Sequence, residues 1–203
     1  MNVHSFYGVM MGKRNNILEA AEKLLAERGF YGLSMKVLAQ QAGIAAGTIY
    51  RYFENKEVLL EELHHHISTE ASKTILQGWS DKQTPEQNYH LLWRNAFNAV
   101  LNNPRRSIVM EMLYCMPNMD TEETNNFEDV AFAPLINFYQ IGIEEQRFHD
   151  WPVAALMSLS FHSALNLAKK VLRDRIEVDE QILTQVRDAS WMVIQKNKNL
   201  TTH

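Results

Sequence analysis

Apolar residues recur along this chain at spacings of three and four, and that periodicity predicts helices from end to end with no β-strand pattern. Ile17, Leu18, Ala21, Leu24 and Leu25 mark the inward face of a helix over Lys13 to Arg28, stopped by Gly29 just past its end. Phe30 and Tyr31 pack the corner that follows. Between Ser34 and Leu60 the pattern shortens. Leu38 and Ala42 share the inward face of one short helix, which Ser34 caps. Gly43 supplies the backbone freedom of a tight turn, and Ile44 plugs the corner. Ile49 and Phe53, four residues apart, form the inward face of a second helix. Two short helices joined by a glycine turn are a helix-turn-helix. A stripe of Leu60, Leu63, Ile67, Ala71 and Ile75 then predicts a long connecting helix that ends near Gly78.

Beyond it, Pro85 can start a helix with Leu92, Ala96 and Ala99 on one face and Trp93, Phe97 and Val100 beside it, broken by Asn102-Asn103-Pro104. A further helix is expected over Arg105 to Cys115. After a turn at Pro117 to Asp120, Thr121 is a candidate cap for a long helical segment reaching about Gln146, which Pro134 should kink or divide. Two more helices, Trp151 to about Arg175 and Asp179 to about Lys196, close an all-α chain of about nine helices. The expected organisation is a three-helix head over 13–58 on a larger body over 59–203. Met1 to Gly12 has no helical period and reads as a disordered arm, or as sequence ahead of a true start at Met10 or Met11. Asn197 to His203 is polar and expected to fray.

The outward face of the second short helix groups Thr48, Arg51 and Tyr52, a phosphate-binding set. Asn55 stands where a helix cap would, which puts Lys56 in a first turn where free backbone N–H groups and a cation converge on an anion. In Leu38-Ala39, Ala42-Gly43-Ile44, Gly47-Thr48-Ile49-Tyr50, Tyr52-Phe53, Asn55-Lys56 and Leu59 the chain resembles the tetracycline-repressor (TetR) family of bacterial transcription regulators. The resemblance is carried by the first third of the chain. It implies a recognition helix in the major groove of double-stranded operator DNA, with the preceding helix across the backbone. Thr48, Tyr52 and Lys56 would then hold phosphates, Tyr50 would reach a thymine methyl or base edge, and Lys36 would read a guanine. Ser34 and Arg51 would add phosphate contacts, and Gly47 would let the helix approach closely. Ala45 and Ala46 stand where family members often carry a polar or basic residue. Ala46 is therefore expected to meet DNA through shape and apolar contact. Corner packing is the competing reading of Tyr50 and Tyr52.

Composition narrows the setting. The chain has 203 residues, 46% of them hydrophobic, enough for a substantial core or a small head on a larger body. One cysteine, Cys115, leaves no partner for an intrachain disulfide and points to a reduced, cytoplasmic location. No apolar run approaches the roughly 18 residues of a membrane span, and no signal-peptide pattern opens the chain. A net charge of −4 argues against a protein that coats nucleic acid generally. Up to Leu60, however, seven cations face five acids, so the head is weakly basic and the acid excess lies in the body.

In the body, the resemblance implies an effector pocket and a dimer contact. Trp93, Phe97, Met110, Tyr114, Phe138 and His162 suit the walls of a site for a small hydrophobic or amphipathic molecule, although such residues also build plain core. Glu111 could balance a cationic ligand or face solvent. The last two helices of each subunit would pair across a twofold axis through Ala164, Leu167, Ile182, Val186, Ala189 and Val193, with intramolecular core as the alternative. His64, His65 and His66 adjoin, but consecutive helical residues point about 100° apart, so they cannot converge on one metal ion. No nucleophile elbow, phosphate loop or dinucleotide fingerprint appears, and neither cofactor nor enzymatic activity is expected. The expected function is a homodimeric, ligand-responsive repressor. A helical receptor or interaction module, and a cryptic hydrolase, are the other classes.

Overall fold

The computed structural model describes residues 3–116 and 122–196, and the regular elements among them are helices, with one isolated antiparallel bridge between Phe148 and Gln195. In chain order they are α1 (Val3–Gly32), α2 (Met35–Gln41), α3 (Ala46–Ile49), α4 (Lys56–Ile75), α5 (Pro85–Asn102), α6 (Pro104–Tyr114), α7 (Glu122–Ala131), α8 (Ala133–Glu144), α9 (Val153–Leu159), α10 (Phe161–Leu172) and α11 (Glu180–Met192). The all-α class is as the periodicity predicts. Two expected long helices are each split, one at Phe132 just ahead of Pro134 and one at Ser160, whose φ of −115° and ψ of −83° leave the helical region. Helix α1 covers Val3–Gly32, which corrects the non-helical reading of the arm over Val3 to Gly12, while Met1 and Asn2 lie outside the described residues. Extending an existing helix backwards gains one hydrogen bond per residue ordered, and no proline stands in that stretch. The stop at Gly29 is in place, since its φ of 66° and ψ of −176° break the helix there. Thr121, the Pro117 to Asp120 turn and the tail from Asn197 lie outside the described residues.

The chain divides into two compact units, Met1–Thr69 with Arg105–Glu128, and Glu70–Pro104 with Asp129–His203. The first is built on an aliphatic core. Ile17, Leu18, Ala21, Leu24 and Leu25 of α1 meet Leu38 and Ala39 of α2, Ile49, Phe53, Leu59 and Leu63, together with Val109 and Leu113 of α6. Each such buried Leu or Ile contributes roughly 1.5–3 kcal/mol relative to exposure. Arg106 of α6 pairs with the buried Glu22 of α1 at 3.3 Å, so the acid is not left uncompensated. His64 is also buried here, with Nε2 2.8 Å from a Glu128 carboxylate oxygen that Tyr114 reaches as well. Burial pushes the Glu128 carboxyl up, but the hydrogen bonds from His64 and Tyr114 outweigh it and lower the pKa. His65 instead stacks on Phe127, and among the described residues no group is placed to hold a metal ion.

The second unit is organised around α5, which packs most extensively against α10 and also against α11. Thr84 and Gln87 form a reciprocal capping box at the start of α5, a Thr-Pro-Glu-Gln signature readable in the sequence. The core is aromatic. Tyr89, Trp93, Phe138, Tyr139, Phe148 and Trp191 are buried together, with ring centroids 5.0 Å apart for Tyr89 and Trp191 and 5.4 Å for Phe138 and Phe148. No described helix is long and apolar enough to cross a membrane.

Candidate nucleic-acid interface

The Ser34 side chain accepts a hydrogen bond from the Val37 amide at 3.3 Å and so fixes where α2 begins. Met35, Leu38 and Ala39 turn inward, which leaves Lys36 exposed on the opposite side. Gly43 then adopts φ 66°, a left-handed conformation that a side chain would strain, and the Ile44 amide closes the turn on the Ala39 carbonyl at 3.0 Å. Helix α3 is short. Beyond Ile49 the chain continues as turns, with the Phe53 amide bonded to the Ile49 carbonyl at 3.0 Å. Ile49 and Phe53 are buried, and anchoring them rotates Ala45, Ala46, Gly47, Tyr50 and Arg51 outward. Thr48 and Tyr52 are half-buried, and Tyr52 packs against the aliphatic core.

Tyr50 is 56% exposed, with its ring outside the core cluster. Gly47 has nothing within 4 Å of where a Cβ would stand and no positive φ. Neither packing nor backbone strain inside the chain therefore asks for glycine, whereas close approach of an external surface would. Asn55 caps α4 by accepting from the Val58 amide at 2.8 Å. Next to it, Lys56 donates to the Phe30 carbonyl at 2.8 Å and rests 3.6 Å from the centre of the Phe30 ring. Burial lowers the Lys56 pKa, with Glu57 acting against it. One donor of this ammonium is thus committed to the α1–α2 corner and two stay available. Sequence reasoning assigned Phe30 to corner packing and missed this bond, which no local spacing signals. Ser34, Lys36, Ala46, Gly47, Tyr50 and Arg51 thus form an exposed set, with Thr48, Tyr52 and Lys56 half-buried beside it.

The residues expected to line an effector pocket fall into two groups. Trp93, Phe97 and Phe138 are buried in the second unit, Trp93 and Phe97 stacked with ring centroids 6.0 Å apart. His162, in the same unit, is half-buried, and burial followed by the nearby Lys169 charge lowers its pKa. Met110 and Tyr114 belong to the first unit, where Met110 packs against the aliphatic core and Tyr114 is 57% exposed. Of the residues expected at a dimer contact, Ile182, Ala189 and Val193 are exposed, Leu167 and Val186 are half-buried, and Ala164 is fully buried. The last therefore serves the close packing of its own unit.

A capped, glycine-turned helix pair with an exposed cationic, aromatic and glycine face defines a helix-turn-helix DNA-binding protein. Residues 17–63 match the family described as bacterial regulatory proteins, tetR family, and residues 85–195 match the tetracyclin repressor-like C-terminal domain. The chain belongs to the TetR family of transcriptional regulators, and its role is DNA-binding regulation. An uncharacterized HTH-type transcriptional regulator of Haemophilus influenzae is 29% identical over 89% of this chain and 94% of its own length. A putative TetR-family regulator from Vibrio parahaemolyticus superposes with a TM-score of 0.80 at 35% identity, covering 91% of this chain and 99% of that one. A TetR-family structure from Haemophilus influenzae gives 0.82 at 26% identity, covering 93% and 99%.

Proposed function

We propose that the protein is a ligand-gated repressor that binds a palindromic operator as a homodimer in the cytoplasm. In this reading 13–58 is the DNA-binding domain and 59–203 the ligand-binding and dimerisation domain. The observation that carries it is Gly47, a glycine on an exposed helix that neither packing nor backbone conformation requires, beside outward-facing Lys36, Tyr50 and Arg51. Relatives named as transcriptional repressors, from Mycolicibacterium smegmatis and Rhodococcus jostii, support the repressing direction. The effector is a small hydrophobic or amphipathic molecule met by Trp93, Phe97, Phe138 and His162. A relative in Bacillus subtilis is named a fatty acid metabolism regulator, which favours an apolar ligand here too. The dimer contact is the exposed side of α10 and α11, with Ile182, Ala189 and Val193 at its centre. Effector binding would tilt α4 and change the spacing of the two heads, and a near-complete switch needs about 5.5 kcal/mol of unequal affinity for the two states.

The test is selection of bound sequences from a random DNA pool. The expected product is an inverted repeat whose half-sites lie about one duplex turn, 10–10.5 base pairs, apart. Lys36→Ala should relax base preference within each half-site. Lys56→Ala should weaken all sequences alike and reduce the salt dependence by about one counterion. Recovery of unrelated sequences without a repeat would refute the dimeric-repressor reading.

A further inference from the structure

The first unit contains a cleft of about 720 Å³, within the size range of small-molecule sites, that lies apart from the DNA-facing side chains of α2 and α3. Its apolar surface comes from Phe30, Leu60, Ile108, Met112 and Met116, with Leu60 buried and Ile108 44% exposed. Aromatic and methionine side chains of this kind present flat, adaptable walls. The charged side chains among its lining residues are acids. Glu57 and Glu61 lie one turn apart on α4, and Glu111 comes from α6, while no Lys, Arg or His is among the described residues that line the cleft. An apolar surface flanked by the Glu57 and Glu61 carboxylates disfavours fatty acids and other anions and attracts a cation that carries its own hydrophobic surface. Beside the cleft the Lys56 ammonium already covers the Phe30 ring, 3.6 Å from its centre, so the attraction for a cation comes from the Glu57 and Glu61 carboxylates.

From this we infer that the cleft is a binding site for a hydrophobic organic cation of drug-like size. It is separate from the effector contacts assigned to Trp93, Phe97, Phe138 and His162, and stands or falls without them. Phe30 and Asn55, which line the cleft, also hold Lys56 and cap α4, so an occupant touches the residues that fix the start of that helix.

Cys115 provides the probe, because it is the single cysteine of the chain, is exposed, and lines the cleft. Tetraphenylphosphonium and tetraphenylborate have nearly the same size and shape and opposite charge. With the full-length chain, saturating tetraphenylphosphonium should slow modification of Cys115 by a neutral thiol reagent, and tetraphenylborate at equal concentration should not. Glu57→Gln combined with Glu61→Gln should weaken tetraphenylphosphonium about tenfold in calorimetry while leaving the helical circular dichroism unchanged, the effect expected from removing two nearby carboxylates. Protection by both ions alike, by neither, or by tetraphenylphosphonium with unchanged affinity in the double variant would each overturn the inference. Because binding is read directly, DNA affinity does not enter the outcome, and failure here leaves the repressor reading untouched.

Discussion

The two units solve the problem of a buried core with different chemistry. In the first, Leu and Ile side chains from α1, α2, α4 and α6 meet one another, and the only demand on them is the right face of the right helix. In the second, rings carry polar atoms into the interior, and three of them bond to serines. Tyr89 donates to Ser190 at 2.7 Å, Trp93 to Ser163 at 2.8 Å and Tyr139 to Ser160 at 2.8 Å. The direction follows from the serines, whose own protons go to the carbonyls of Arg187, Ser160 and Leu156. Burial pushes the Tyr89 and Tyr139 phenols up, so both hydroxyls stay protonated donors. An aliphatic core tolerates changes that conserve volume, whereas an aromatic core of this kind also fixes which helices pair, because a misplaced ring leaves a polar atom unsatisfied.

The largest expected effect falls on the second unit. Trp93→Ala removes a fully buried indole and its bond to Ser163, and should cost about 3–5 kcal/mol. All four tryptophans, Trp79, Trp93, Trp151 and Trp191, lie in this unit, so fluorescence of the remaining three follows its unfolding in urea. Leu18→Ala is the counterpart in the aliphatic core, read by ellipticity, and should cost about 2–5 kcal/mol. If Trp93→Ala cost less than about 2 kcal/mol, the ring would border unfilled space and the pocket reading of Trp93 would gain.

The same contrast explains what the sequence makes legible. The first unit's helices and turn follow from local signals: Ser34 as cap, Gly43 in the left-handed turn, and Ile49 and Phe53 four residues apart all stand where those signals put them. Residue Gly29 ends the regular helix for the same local reason. The second unit's helices were readable too, but not its partners. Ser160 and Ser163 look like small residues that permit close helix approach, and only the fold reveals them as acceptors for rings 21 and 70 positions away. Lys56 behaves likewise, because its bond to the Phe30 carbonyl spans 26 positions. Local chemistry determines caps and turns, whereas hydrogen bonds between distant helices depend on packing angles that no spacing encodes. The cleft beside α6 has no signature in the sequence for a related reason, since its walls come from three separated stretches.

A smaller effect isolates the hydrogen bonds of the aromatic core. Tyr139→Phe keeps the ring and deletes its hydroxyl, while Ser160 still donates to Leu156, so the expected loss is about 1 kcal/mol. Tryptophan fluorescence in urea again reads the change. Stability equal to wild type would mean that the hydroxyl network adds no net energy, and the contrast between the two cores would reduce to shape.

The smallest change in stability should come from the exposed face of α3, and it should carry the opposite sign. Gly47→Ala places a methyl group where nothing stands within 4 Å and where the backbone needs no positive φ. Removing the conformational freedom of glycine from a helical position stabilises by about 0.5–1 kcal/mol, or less near the end of so short a helix. In either core an added methyl would have to displace neighbours, but here it projects only outward. DNA binding should therefore weaken while the melting temperature holds or rises, because the methyl occupies space that a groove surface would otherwise fill. Fluorescence anisotropy with a selected operator and thermal unfolding of the same preparation measure the two quantities. Unchanged DNA affinity would remove Gly47 from the interface and leave its presence on α3 without a reason.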